Sequence, residues 1–152
     1  MIFIYLDTNV YCRPFDDQQQ ARIRNESDAF EKIIDSVKEE KIALISSDIL
    51  FFEVSNILKF YKRTEVEKFI SLCKNRIEEN DEIKELAILL RDQCDIKDRD
   101  ALHLASAILS ETEYYLTCDD DVTRRRNAAC VEKVANENGK IITILNPEDF
   151  KL

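Results

Sequence analysis

Residues 2–9 are Ile-Phe-Ile-Tyr-Leu-Asp-Thr-Asn, five apolar residues followed directly by an acidic and two polar residues. A short, uninterrupted apolar run is typical of a strand that is buried on both faces of a sheet. Three later runs, at 42–46, 114–117 and 141–145, have the same character, and helix-forming sequence lies between them. Buried strands that alternate with helices indicate an α/β fold, with a central parallel sheet of about four to five strands and helices on both faces.

Apolar residues at helical spacing predict helices over 21–41, 47–63, 81–94 and 98–110. Ser46 or Ser47 is the expected N-cap of the second of these helices. The sequence TEVE at 64–67 matches a capping box and predicts that another helix begins at Thr64. A last helix precedes the final strand, and the single glycine of the chain, Gly139, is expected to end it.

Length and composition limit the classes of protein that the chain can belong to. The 152 residues, of which 45% are apolar, fit a single domain spanning 1–152. A single glycine excludes the glycine-rich loops that bind dinucleotides or nucleoside triphosphates, and a single histidine excludes histidine-based zinc sites. The net charge of −9 argues against a broad basic face for nucleic acid. An acidic site that reaches phosphate through bound cations stays compatible with this charge.

The cysteines and the N-terminus indicate where the protein resides. Five cysteines, an odd number without a CxxC pair, suggest reduced thiols in an intracellular protein. The first apolar run meets an aspartate too early for a signal peptide or a membrane span. We therefore expect a cytoplasmic protein that does not interact with a membrane.

Acidic residues occur where two of the predicted strands end and on two of the predicted helices. Asp7 follows the first strand and Asp119 follows the third, and the carboxyl ends of parallel strands meet at one edge of the sheet. Glu53 lies on an apolar helix stripe, where a carboxylate is costly unless it is protonated, paired or bound to a cation. Asp100 lies in the first turn of a helix, where the macrodipole stabilises a carboxylate.

Carboxylates brought together without basic partners repel one another, so they either take up protons or bind a divalent cation. Oxygen ligands favour Mg²⁺ or Mn²⁺, and such a site supports in-line displacement at a phosphate. The pattern therefore predicts a metal-dependent phosphodiesterase. Alternatives stay open at several positions: Asp98 competes with Asp100 but is more simply a helix N-cap, and Asp120 and Asp121 compete with Asp119.

Five segments resemble, in order and in approximate spacing, the PIN-domain nucleases. The segments are LDTN at 6–9, SSDILFFEV at 46–54, RDALHLASAI at 99–108, LTCDDD at 116–121 and NPEDF at 146–150. The resemblance covers nearly the whole chain. It is strongest to the small, single-domain prokaryotic PIN proteins, which include the toxins of VapBC-type toxin–antitoxin pairs.

The resemblance implies an endoribonuclease that cuts single-stranded RNA or tRNA and leaves a 5′-phosphate. It implies that four acids form the catalytic site and that three of them, Asp7, Asp100 and Asp119, hold Mg²⁺ or Mn²⁺; the fourth is Glu53. It also implies an antitoxin protein as a partner and a homodimer. The supporting residues that it implies are Thr8, Asn9, Ser47 and Thr117.

Other interpretations remain beside this one. Four arginines near the predicted site are candidates for binding phosphate, but each is more simply explained by a salt bridge: Arg13, Arg124, Arg125 and Arg126. His103 is more simply a structural histidine than a ligand of substrate. A haloacid-dehalogenase-like phosphatase needs aspartate at position 9, where this chain has Asn9. The alternative function is a catalytically silent PIN-like scaffold that binds RNA or a protein.

Overall fold

The computed structural model describes residues 1–152, and its sheet consists of five parallel strands in the order β3-β2-β1-β4-β5. The central strand β1 therefore ends between β2 and β4. The predicted polar residues Ser46 and Ser47 lie at the end of β2, and Thr117 and Asp119 follow β4. The strands are β1 (Ile2–Leu6), β2 (Ile42–Ser47), β3 (Asn75–Ile77), β4 (Tyr114–Leu116) and β5 (Thr143–Leu145).

Eight α-helices connect and cover the strands: α1 (Thr8–Cys12), α2 (Ala21–Lys38), α3 (Asp48–Ser55), α4 (Phe60–Ile70), α5 (Asp81–Cys94), α6 (Asp98–Leu109), α7 (Asp120–Thr123) and α8 (Arg125–Glu137). Short 3-10 turns follow α1 at Arg13–Phe15 and β5 at Pro147–Asp149. Each helix is too short or too polar to cross a lipid bilayer.

Alternate residues of the strands point to opposite faces of the sheet, and each face has its own apolar core. Tyr5 and Tyr115 pack with α5, α6 and α8 in one core. Ile4 and Leu6 pack with α1, α2, α3 and α4 in the other. This arrangement confirms the predicted α/β fold with a parallel sheet between two helical layers.

The predicted helix over 47–63 is wrong, because the structure divides this segment into α3 and the first turn of α4. Two side chains explain the break: Ser55 and Asn56 both donate hydrogen bonds to the carbonyl oxygen of Phe52, at 2.7 and 2.8 Å. Such side-chain bonds compete with the helical backbone pattern and end α3. Thr64 consequently lies inside α4, which begins at Phe60, so the predicted capping box does not start a helix.

Strand β3 was not predicted, because it is a short edge strand with exposed side chains and has no apolar run. The expected end of the last long helix is confirmed. Helix α8 ends at Glu137, and Gly139 follows it with a φ of +74°, in the left-handed region that glycine adopts without strain.

The prediction that all five cysteines are free thiols is wrong for two of them. A disulfide joins Cys94, at the end of α5, to Cys130 of α8. Their separation of 36 residues matches no sequence motif, so the pair could not be predicted. The packing of α5 against α8 brings the two cysteines together. Cys12, Cys73 and Cys118 are free.

Candidate active site

The carboxyl end of the central strand places Asp7 at the edge of the sheet, where it is only 4% exposed. One carboxylate oxygen accepts a hydrogen bond from the backbone N–H of Thr8 at 2.7 Å. The other oxygen accepts from the hydroxyl of Thr117 at 2.7 Å and from the amide of Asn9 at 3.2 Å. Asp7 is therefore held in one orientation by neutral donors.

Asn9 and Thr117 also connect the segment after β1 to the segment after β4. The amide nitrogen of Asn9 donates to Thr117 Oγ1 at 3.1 Å, and its amide oxygen accepts from the backbone N–H of Cys118 at 3.0 Å. Thr117 Oγ1 in turn accepts from the backbone N–H of Asp119 at 3.1 Å. Two of the predicted supporting residues thus lie between Asp7 and Asp119, and their functional role stays a prediction.

Glu53 reaches the same place from α3, whose N-terminus is capped by Ser47 through a 3.2 Å hydrogen bond from the N–H of Leu50. Its Oε1 accepts from the Thr8 hydroxyl at 2.5 Å and lies 2.6 Å from Nε2 of His103. Burial acts to raise the pKa of Glu53, but the hydrogen bond and charge of His103 outweigh it and lower the pKa.

His103, on α6, belongs to the acidic site as well as to the core. Its Nε2 lies 3.8 Å from an oxygen of Asp7, and its Nδ1 makes a 2.7 Å hydrogen bond with the Tyr5 hydroxyl. The side chain is 1% exposed, and both ring nitrogens have partners, as expected of a structural histidine. Burial lowers the pKa of His103, but Glu53 and Asp7 raise it further, so that it lies above its ordinary value.

The two remaining acids extend the site beyond this group. Asp100 lies in the first turn of α6, where burial and the charges of Asp7 and Asp119 raise its pKa to about 7. Burial also raises the pKa of Asp7, since its hydrogen bonds and His103 offset only part of the cost. Asp119 precedes α7 and caps it by accepting from the N–H of Asp121 at 2.9 Å.

Three acids that competed for these roles are paired with arginines. The side chain of Asp98 is 78% exposed and lies 3.4 Å from Arg91. Asp98 is not the N-cap of α6, because Lys97 occupies that position and Asp98 is the first helical residue. The two other pairs are Asp120 with Arg22 at 2.7 Å and Asp121 with Arg124 at 3.1 Å.

The four arginines named as candidates for binding phosphate divide into two groups. Arg13 is held by Asp16 and Glu26, and Arg124 is held by Asp121, which agrees with the salt-bridge interpretation. Arg125 and Arg126, in the first turn of α8, are exposed and form no ion pair with the chain. These two remain available to a substrate.

The donor set at the carboxyl edge of the sheet fits a divalent cation. Single donor atoms of Asp7, Glu53 and His103 all lie within 4.8 Å of one another, and of these the carboxylates are the available ligands, because both ring nitrogens of His103 already have hydrogen-bond partners. Asp100 and Asp119 lie outside this compact group, and their negative charge acts on the site without a lysine or arginine partner. Mutually repelling, partly buried carboxylates are the ligands that Mg²⁺ and Mn²⁺ prefer.

Comparisons with known proteins agree with this architecture. A family model described as PIN domain matches residues 4–128. One similar solved structure is VapBC2 from Rickettsia felis, a crystal structure with a bound DNA fragment of the promoter. Its sequence is 16% identical to this chain, the TM-score is 0.60, and the match covers 94% of this chain and 98% of that chain. A toxin–antitoxin complex from Klebsiella pneumoniae has 22% identity and a TM-score of 0.53, with 78% and 89% covered. At these identities the likeness shows a shared fold. No curated protein matches the sequence.

Proposed function

The chain belongs to the PIN-domain family, and from this premise we propose that it is a divalent-metal-dependent endoribonuclease that serves as the toxin of a toxin–antitoxin pair. One observation carries the proposal: Asp7 and Asp100 lie close enough to repel each other, and neither is paired with a lysine or an arginine. Unpaired carboxylates that repel one another destabilise the folded state, so their presence together indicates that they have a function.

Asp7, Asp100 and Asp119 would hold Mg²⁺ or Mn²⁺, as predicted from the sequence. When bound, the cation supplies the positive charge that stabilises an in-line phosphoryl displacement and lowers the pKa of water. Glu53 has one oxygen fully occupied by Thr8 and His103. Its Oε2 makes no hydrogen bond and has Arg99 at 3.7 Å, and we assign to it the acceptance of a proton from the attacking water.

Arg125 and Arg126 are proposed to bind the phosphates of single-stranded RNA or tRNA on either side of the cleaved bond. They follow the segment that carries Asp119, and no acidic side chain of this protein neutralises them. Guanidinium groups bind phosphate through paired hydrogen bonds. With a net charge of −9, the protein needs such a local basic group to retain RNA.

The proposed antitoxin partner is supported by the two similar structures, which are of VapBC2 and of a toxin–antitoxin complex. In this chain, α3, which carries Glu53, α4 and the segment between them expose large apolar side chains. Such a concentration of apolar surface marks a protein interface. The side chains, with their exposed fractions, are Phe51 (38%), Phe52 (53%), Leu58 (96%), Phe60 (72%) and Tyr61 (69%).

The nuclease proposal is tested by a cleavage assay on labelled single-stranded RNA, tRNA and single-stranded DNA, each with Mn²⁺, Mg²⁺ or EDTA. We expect RNA cleavage by the native protein that stops in EDTA and in Asp7→Asn. The matched control is Asp98→Asn, which removes an exposed acid of α6 and should keep the native rate. Cleavage by Asp7→Asn at the native rate would refute the site. If no variant cuts any substrate and calorimetry detects no Mn²⁺ binding, the protein is a silent scaffold.

The toxin proposal is tested by expression in the source cell. We expect growth arrest with the native chain and normal growth with Asp7→Asn. Co-expression of the antitoxin, which we would seek as a small gene adjacent to this one, should restore growth and give a complex that Phe60→Ser weakens. Sedimentation of the purified chain distinguishes this complex from the homodimer that the family resemblance implies. Normal growth on expression of an active nuclease alone would contradict a toxin.

A further inference from the structure

A chain of buried hydrogen bonds leads away from the carboxylate of Glu53. Oε1 of Glu53 lies 2.6 Å from Nε2 of His103, and Nδ1 of the same ring lies 2.7 Å from the hydroxyl of Tyr5. The Tyr5 hydroxyl lies 2.5 Å from the hydroxyl of Ser47. Ser47 accepts from the backbone N–H of Leu50 at 3.2 Å.

This chain forms a closed circuit. Ser47 caps the N-terminus of α3, the helix that carries Glu53, so the circuit starts and ends on the same helix. It passes through α6 at His103 and through the central strand β1 at Tyr5. His103, Tyr5 and Ser47 are each at most 1% exposed. Water therefore does not compete for these bonds, which makes each of them stronger and more directional than at the surface.

The circuit distinguishes the two oxygens of Glu53. Because a carboxylate only accepts hydrogen bonds, the hydrogen between Glu53 and His103 resides on Nε2. Oε1 thus receives this bond and the one from the Thr8 hydroxyl, whereas Oε2 makes no hydrogen bond within the chain. Oε2, whose one charged neighbour is Arg99 at 3.7 Å, is the oxygen of Glu53 left free to accept a proton.

We propose that His103 is a positioning residue which, through the circuit with Tyr5 and Ser47, holds Glu53 so that Oε2 serves the cleavage reaction. The inference rests on the proposed nuclease function. It assigns a role to the only histidine of the chain, which does not need to touch RNA for this purpose.

Two tyrosines provide a matched pair of variants. Tyr5 and Tyr115 are paired on neighbouring strands, their rings stack 5.5 Å apart, and both are fully buried. The Tyr5 hydroxyl is part of the circuit, while the Tyr115 hydroxyl has no hydrogen-bond partner. Tyr5→Phe and Tyr115→Phe therefore remove the same atom from two stacked, fully buried rings, and only the first opens the circuit.

We expect Tyr5→Phe to lower kcat about tenfold and His103→Leu to lower it about a hundredfold, with KM changed less than about twofold, since outer hydrogen-bond partners typically contribute 10- to 100-fold. His103→Gln, whose amide can still donate to Glu53, should recover part of the loss. Tyr115→Phe should keep the native kcat.

If Tyr5→Phe keeps the native kcat while Asp7→Asn is inactive, the positioning role is wrong and the proposed nuclease function is unaffected. If Tyr5→Phe and Tyr115→Phe lose activity equally, the loss reflects packing and the inference is also wrong.

A second readout does not depend on cleavage. Because the chain has one histidine, a ¹⁵N-labelled sample gives a single set of imidazole NMR signals. We expect a downfield Nε2–H signal that exchanges slowly with water, moves in Tyr5→Phe and Glu53→Gln, and stays in place in Tyr115→Phe. If the native protein does not cut RNA, this signal still tests the hydrogen-bond circuit. Absence of the signal, or equal movement of the signal in both tyrosine variants, would overturn the circuit.

Discussion

Among single residues, Asp100 bears a large electrostatic cost in the site. Burial and its neighbours raise its pKa from 3.8 to about 7. Between these values the unfolded chain carries a charge at this position and the folded protein carries a proton. The free energy of unfolding therefore falls as the pH rises from about 4 to about 7. Above that range the destabilisation is constant.

We predict that Asp100→Asn stabilises the metal-free protein at pH 8 by about 1–3 kcal/mol, after allowance for solvent screening of a partly exposed group. The gain should shrink between pH 7 and pH 4 and vanish below pH 4, where the native residue is neutral in both states. Urea denaturation in EDTA at four pH values measures it. Asp98→Asn, in the same helical turn, should show no comparable gain. A gain of the same size at pH 4 and pH 8 would contradict the assigned pKa.

His103 illustrates which residue roles the sequence conceals. Asp7 and Asp119 were predictable because each follows an apolar strand and strand ends meet at one edge, and Asp100 because it begins a helix. Glu53 was predictable because a carboxylate on an apolar helix stripe is costly. The role of His103 depends on the direction of its ring, and the packing of Tyr5 and Glu53 sets that direction. Its position three residues after Asp100 was a usable signal, since residues i and i+3 share a helix face.

Among the elements, α2 contains Glu26, whose fully buried side chain binds residues of other segments through hydrogen bonds and salt bridges. Its carboxylate accepts from Arg13 at 2.9 Å, Arg22 at 3.3 Å and Asn146 at 2.5 Å. Arg22 also binds Asp120, next to the proposed metal ligand Asp119. Burial acts to raise the pKa of Glu26, but the bonds from Asn146 and the two arginines lower it below its ordinary value.

We predict that Glu26→Gln lowers the free energy of unfolding at pH 7 by about 2–3 kcal/mol, because it leaves two arginines without their shared partner. A lowered pKa means that this stabilisation is complete above about pH 4.5 and is lost as the pH falls through the folded-state value. The native protein and the variant should therefore converge at acidic pH. Urea denaturation at pH 7 and pH 3.5 tests this, with the exposed Glu31→Gln as control. An equal difference at both pH values would refute it.

Element boundaries were harder to predict than elements. The apolar runs of β1, β2, β4 and β5 fixed these strands to within two residues. The end of α3 was missed because it depends on two short side chains bonding one carbonyl, an arrangement that apolar spacing does not reveal. β3 was missed because an exposed edge strand needs no apolar run.

For the molecule as a whole, parallel topology explains why acids from four distant segments converge. The order β2-β1-β4 in the middle of the sheet brings Asp7 and Thr117 into contact, although 110 residues separate them. The α/β pattern predicted that Asp7 and Asp119 lie at one edge of the sheet, and the resemblance to PIN-domain nucleases added Glu53 and Asp100. The sequence did not predict which helices pack together, and therefore did not predict the disulfide between α5 and α8.

That disulfide yields a prediction about global stability. The bond closes a loop whose ends are 36 residues apart, and a constraint of this length on the unfolded chain is worth about 3–4 kcal/mol. We expect a dithiol reductant to lower the Tm of the oxidised native protein by roughly 6–12 °C. Cys130→Ser should match the reduced protein and should not respond to reductant. Asp7 and Glu53 lie outside the loop between Cys94 and Cys130. Asp100, His103 and Asp119 lie inside it, but α6 packs in the core and β4 pairs with β1, so metal-dependent cleavage at 25 °C should survive reduction. An unchanged Tm on reduction, with free-thiol counting that finds five thiols before treatment, would mean that α5 and α8 are joined by packing alone.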